Sequence, residues 1–180
     1  MTSVALYGGA FDPPHQAHVF AISYLMTRED VDEVWLLPTG QHAFGKVMAS
    51  YNKRVEMLDI LIRQMGWGKR VSVSTREAEH KTASYTYDTL SGLQQDFPNH
   101  NFILVIGADN LSAAHRWHRF DELTSKWALV VLGRTGHEAS LDRYKGEGWC
   151  HVGPTLPEVS STLVRMELQR DAHSVWLPDI

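Results

Sequence analysis

The chain has 180 residues, 43% hydrophobic and 21% charged, the balance of an ordinary globular fold, which excludes collagen-like, low-complexity and disordered readings. Seventeen Lys and Arg against twenty-one Asp and Glu give a formal charge of −4, so no global basic field attracts nucleic acid or an anionic membrane. A single cysteine, Cys150, the absence of a signal-like stretch in MTSVALYGG, and apolar runs far short of a membrane span point to a cytoplasmic protein, one domain over residues 1–180.

Val4–Tyr7 is a short apolar run that reads as a buried strand, and it leads through two glycines to a helical pattern over His15–Met26. Val34–Leu37 is a second strand; Tyr51–Met65 is a helix with Val55, Leu58, Ile62 and Met65 on one face. Val71–Ser74 and then a helix over Thr86–Phe97, with Leu90, Leu93 and Phe97 inward, repeat the alternation. Phe102–Ile106 and Ala128–Leu132 are further strands, separated by a short helical pattern at Asp121–Lys126. Gly133 to Gly148 reads as a surface loop, Trp149–Val152 as a sixth strand and Ser160–Gln169 as a last helix. Buried strands alternating with helices predict an α/β fold, a doubly wound, Rossmann-like parallel sheet, because each parallel crossover needs a dozen or more residues. Ligands of such sheets bind beyond the carboxyl ends of the strands, so the segments after strands are where function is sought.

The first of those segments is Gly8-Gly9-Ala10-Phe11-Asp12-Pro13-Pro14-His15-Gln16-Ala17-His18. Glycines allow a tight turn and close backbone approach to a phosphate, and the helix that follows offers unpaired N–H groups and a positive dipole end. His15 and His18, three apart at a helix start, present both imidazoles on one face as donors to phosphoryl oxygens. An i, i+3 histidine pair supplies only two ligands, so a zinc site is not expected. Gly40-Gln41-His42-Ala43-Phe44-Gly45-Lys46 matches the first seven positions of a P-loop, but Val47 stands where Ser or Thr must bind Mg²⁺, and no helical pattern begins before about Tyr51.

GGAFDPPHQAH resembles the GGTFDPIHxGH signature of the HxGH nucleotidyltransferases, and especially of the nicotinate-nucleotide adenylyltransferases. About 140 residues later, Val159-Ser160-Ser161-Thr162-Leu163-Val164-Arg165 is similar to the second family signature, ISSTxIR. Between them, Ser84-Tyr85-Thr86 followed by Asp88-Thr89-Leu90 is similar to SYTxxTL, and Ile106-Gly107-Ala108-Asp109 to IGxD. Trp117 matches the family tryptophan that stacks on the pyridine, and Arg134 the arginine of a GRPG-like turn. The likeness spans nearly the whole chain. Ala10 and Ala17 depart from it, standing where relatives have threonine and glycine.

The resemblance implies transfer of AMP from ATP to nicotinate mononucleotide, or to its nicotinamide counterpart, with release of pyrophosphate. His15, His18 and Arg165 are the implied catalytic residues. Gly8, Gly9, Ala10, Phe11, Gly107, Asp109, Arg134, Ser160, Ser161 and Thr162 are implied on the ATP side, and Lys46, Tyr85, Thr86 and Trp117 on the mononucleotide side. His42 and Arg54 are expected to assist Lys46 with the acceptor phosphate. Mg²⁺ is expected to arrive with ATP, no other metal is expected, and a homo-oligomer stays open. The rivals are other acceptors of the superfamily, such as phosphopantetheine or cytidylyltransferase substrates, and a nucleotide-binding protein without turnover.

Overall fold

A computed structural model of the chain describes residues 1–40, 48–79, 85–171, 175 and 177–178. In chain order the elements are β1 (Thr2–Gly9), α1 (Gln16–Thr27), β2 (Glu33–Pro38), α2 (Tyr51–Gln64), β3 (Val71–Val73), α3 (Thr86–Asp96), β4 (His100–Gly107), α4 (Ala108–Leu111), α5 (Phe120–Lys126), β5 (Ala128–Gly133), α6 (Glu138–Tyr144), β6 (Cys150–Thr155) and α7 (Ser161–Asp171). The six strands form one sheet in the order β3-β2-β1-β4-β5-β6, with every pairing parallel. Connections run outward in opposite directions from β1 and β4, so the switch point lies between these two strands, and the crevice opens at their carboxyl ends.

Both faces of the sheet are covered, which is why its strands read as continuous apolar runs rather than as an alternation. Ala5 and Tyr7 of β1 pack on one side with Ala17, Ala21, Ile22 and Leu25 of α1, Leu58 and Leu61 of α2 and Val164 of α7. Val4 and Leu6 face the other side, against Tyr87, Leu90 and Leu93 of α3, Leu111 of α4 and Leu123 of α5. Each such fully buried leucine contributes about 1.5–3 kcal/mol over an exposed one, enough to fix which helix covers which face. Among the described residues, no helix is long and apolar enough to cross a membrane.

The structure departs from the sequence expectation between β5 and β6. Residues 133–148 are not one loop: α6 forms there, with Leu141 and Tyr144 packed on the second core. Its seven residues are flanked by glycines and polar residues that read as a loop. Trp127 follows α5 and immediately precedes β5, and its ring is buried. Trp35 does lie in β2, half-buried against Phe97 and Phe102. As the sequence predicts, α2 starts at Tyr51 and not directly after Lys46, which is incompatible with a P-loop helix.

Candidate active site

The carboxyl end of β1 forms the floor. Gly8 is exposed, and nothing lies within 4 Å of the point where its Cβ would stand. The ring of Phe11 lies 3.1 Å from the corresponding point at Gly9, so a side chain there would push against a fully buried ring. Phe11 has φ 49°, a left-handed backbone that is costly for a bulky residue, and its ring is locked between Tyr7 at 5.6 Å and His18 at 4.8 Å. The Asp12–Pro13 peptide that follows is cis.

His15 precedes the first turn of α1, and His18 lies within that turn; their rings stack with centroids 3.8 Å apart. The His15 backbone N–H donates to His18 Nδ1 at 3.1 Å, so a neutral His18 carries its proton on Nε2. Both side chains are nearly out of solvent, at 2% and 8% exposure. Burial, reinforced by the Arg134 cation, pushes His15 down to about 4; burial, His15 and Arg134 together push His18 well below the usual imidazole range. Both rings are therefore neutral at pH 7. His15 Nδ1 and Arg134 Nε are buried without a hydrogen-bond partner, and an unmet buried polar atom costs about 1–3 kcal/mol. Both atoms retain hydrogen-bonding capacity that a polar ligand can meet.

At the end of β4 the Asp109 carboxylate folds over Gly107 and occupies the place of a side chain there, with Arg134 Nε 3.9 Å from the same point. Any larger residue at Gly107 would displace that carboxylate. Arg134, just after β5, also donates through Nη1 to the Val159 carbonyl at 3.4 Å. Burial, opposed by Arg134 and helped by Asp109, raises the Tyr7 phenol far out of its ordinary range, so Tyr7 stays protonated beneath the site. A cleft of about 300 Å³ opens alongside, bounded by Asp109, Arg134, Thr135, His137, Leu156 and Ser160, a size suited to a small ligand or part of one.

The N-terminus of α7 meets the same loop. Ser160 Oγ accepts from the Leu163 N–H at 3.2 Å, an N-cap, and the Ser161 hydroxyl donates to the Pro13 carbonyl at 3.0 Å. Arg165 Nη1 donates to the Asp12 carbonyl and lies 3.5 Å from its Oδ2, while Nη2 reaches Thr162 Oγ1 at 3.2 Å. The positive ends of α1 and α7 are thereby brought to one loop, with Arg165 between them. Because Ser161 has one hydroxyl proton and it is spent on Pro13, only its backbone N–H remains as a donor.

Two residues have roles that the sequence did not reveal. Asp12, 5% exposed, holds Arg165 on one side and accepts from the Ala49 N–H at 3.2 Å on the other. Its position inside a glycine-rich motif, flanked by Phe and Pro, was the only available hint. Arg54, expected to meet a phosphate, is instead fully buried and gives its donors to the carbonyls of Ala10 (2.8 Å), Thr39 (2.8 Å), Gly40 (3.4 Å) and Ala49 (3.2 Å). It is a clamp between the loops after β1 and β2. Lys46, His42 and Ser84 lie outside the described residues.

Tyr85, Thr86 and Trp117 form a separate group. Tyr85 and Thr86 open α3, and Trp117 lies on the turn between α4 and α5, half-buried with its ring 6.5 Å from Phe120. Tyr85 is 58% exposed and lies against His118, centroids 4.6 Å apart at 32°. The turn thus offers aromatic faces to solvent, the requirement for stacking on a flat ring.

A 3-2-1-4-5-6 parallel sheet with paired histidines and converging helix N-termini at its switch point defines a nucleotidyltransferase, and the cytidylyltransferase-like family model matches residues 6–167. A relative from Myxococcus xanthus (strain DK1622), named a nicotinate-nucleotide adenylyltransferase, is 39% identical over 168 residues, covering 93% of this chain and 82% of its own. A second, from Anaeromyxobacter sp. (strain K), is 36% identical over 170 residues, covering 93% and 84%. The chain belongs to the nicotinate-nucleotide adenylyltransferase family. The fold agrees with that of Plasmodium falciparum nicotinic acid mononucleotide adenylyltransferase complexed with NaAD: TM-score 0.81 at 20% identity, over 95% of this chain and 86% of that one.

Proposed function

We propose that the protein transfers AMP from ATP to nicotinate mononucleotide. A phosphate oxygen of the mononucleotide attacks the α-phosphorus, the bond to the bridging oxygen of the β,γ-diphosphate breaks, and pyrophosphate leaves with both electrons of that bond. The attacking phosphate is already ionised at pH 7, so no general base is required. The observation that carries this reading is the meeting of His15, His18, Arg134 and Arg165 at the carboxyl ends of β1, β4 and β5 and the start of α7, with buried polar atoms unmet at His15 and Arg134.

Catalysis of this kind is largely positioning and charge stabilisation. In this reading His15, His18 and Arg165 are the catalytic residues. The neutral histidines donate N–H groups to the triphosphate, and His18 Nε2 is the donor whose value rises most as charge develops on the leaving group. Gly8, Gly9, Ala10 and Phe11 supply the close floor, Ser160, Ser161 and Thr162 the N-terminal donors of α7, and Gly107 with Asp109 and Arg134 the ribose and phosphate contacts. Lys46, Tyr85, Thr86 and Trp117 take the mononucleotide. Among the described residues no three His, Cys, Asp or Glu side chains gather as a metal group, and Asp12 is already engaged by Arg165 and Ala49. In this reading Mg²⁺ arrives with ATP, carried on its phosphates. A cytoplasmic setting accords with a dinucleotide-forming step fed by ATP.

The test is pyrophosphate release from MgATP with nicotinate mononucleotide, nicotinamide mononucleotide, phosphopantetheine or no acceptor. Turnover with nicotinate mononucleotide is the expected result. Turnover only with another acceptor replaces the substrate in this reading, and ATP binding without any turnover replaces the enzyme with a binding protein.

A further inference from the structure

The turn that carries Trp117 is held in an unusual way. Arg119, two residues on, has φ 56° and ψ 41°, a left-handed conformation that glycine adopts freely and a long side chain does not. Strain of this kind persists only where surrounding contacts over-determine the backbone. Here the contacts are specific. The Arg119 guanidinium lies 4.0 Å over the ring of Tyr87, on the first turn of α3, and its fork grips Glu122, with Nε to Oε1 at 2.7 Å and Nη2 to Oε2. Tyr87 is itself fixed: it is 4% exposed, its hydroxyl is bonded to Lys126 Nζ at 2.6 Å, and its ring meets Trp127 edge-on at 5.7 Å. A rigid aromatic on α3 is thus the anchor for a strained residue on the turn.

The consequence concerns spacing. Tyr87 lies two residues after Tyr85, and Arg119 two residues after Trp117. Anchoring Arg119 on Tyr87 sets the distance between the start of α3 and the aromatic turn, the same distance that the Tyr85–His118 ring contact spans. We propose that Arg119 is a positioning residue that fixes Trp117 and His118 against the α3 start, so that Trp117, Tyr85 and Thr86 present one preformed seat for the acceptor's ring. This inference rests on the adenylyltransferase reading above. Preforming the seat acts on acceptor affinity, because the ordering is done before binding; the ATP contacts at β1, β4 and α7 do not depend on it.

Arg119→Gly removes the staple and also removes the strain, whereas Arg119→Ala removes the staple and keeps the strain. The pair therefore separates positioning from stability. Arg119→Gly is expected to melt at or above the temperature of Arg119→Ala. Both are expected to raise KM for nicotinate mononucleotide by about fivefold or more, with KM for ATP changed by less than about twofold. Arg119→Lys keeps a cation over Tyr87 without the fork to Glu122, and falls between them and the parent. An unchanged mononucleotide KM in Arg119→Gly, with the parent active, would overturn the role of Arg119 alone, and so would an equal rise in both KM values. A parent that does not turn over nicotinate mononucleotide would overturn the functional reading and this inference with it.

Discussion

The two sides of the site are built on opposite principles. On the side of the paired histidines, functional groups hang from the ends of regular elements: His15 and His18 at the start of α1 are buried, Arg134 after β5 and Arg165 on α7 are half-buried, and Phe11, Asp12 and Arg54 are packed beneath them. On the aromatic side, Tyr85 and His118 stand in solvent, and the turn between them is held from outside by a strained arginine. Stabilising charge at a reacting phosphorus requires donors in a dry, preorganised place, whereas admitting a flat ring requires an exposed face that can be reached and left. The first side is therefore bound into the core, and the second is fastened onto its surface.

Substitutions test this division directly. The largest effect is expected for His18→Ala: loss of a preorganised donor costs about a hundred- to a thousandfold in kcat, with little change in KM. Steady-state kinetics showing equal kcat would remove His18 from the chemistry. Arg54→Met comes next, on stability: four backbone carbonyls lose their partner at once, and a loss of about 3–5 kcal/mol is expected, read by urea denaturation. A loss under about 1 kcal/mol would show that the loops after β1 and β2 do not need this clamp.

Trp117→Ala belongs to the other side and should leave stability and kcat nearly intact. Its KM for the mononucleotide should rise about 5- to 150-fold, the worth of about 1–3 kcal/mol of ring stacking. A large drop in melting temperature instead would place Trp117 in the core and blur the contrast. The smallest effect is a pH dependence. His15 is held down to about 4 and His18 is held low as well, while in the unfolded chain both titrate near 6.5. The unfolded state thus binds more protons below pH 6.5, so stability is fully present above that value and falls as pH drops towards about 4. Between pH 6.5 and 5, above the carboxylate range, His15→Asn should flatten the fall in melting temperature. A parallel slope in the variant would mean that His15 is not kept neutral.

Much of this was legible in the residues. All six strands, the four longer helices and the short α5 could be read from runs and periods, because a sheet covered on both faces writes its strands as unbroken apolar segments. The histidine pair, the glycines and the serine-capped α7 were legible because helix starts and tight turns admit few residue types. α6 was not, since it lies within a polar, glycine-bounded stretch, 133–148, that reads as a loop. Arg54 was misplaced for a different reason: a lone arginine near a presumed phosphate site looks the same in sequence whether its donors meet an anion or four carbonyls.

The sequence by itself carried the α/β class and the phosphate-suited residue types after the first strand, which follow from local propensity and motif spacing, while the segments after β4 and at the start of α7 entered through the resemblance to the family. Only the tertiary structure decided which donors are spent and which remain. Ser161 is consumed by Pro13, Asp12 by Arg165 and Ala49, and Arg54 by the loops, while His15 and Arg134 keep buried polar atoms unmet. It also decided that Arg119 reaches Tyr87. Hydrogen-bond capacity and burial are properties of the assembled neighbourhood, formed by residues far apart in the chain, and no single stretch of sequence contains them.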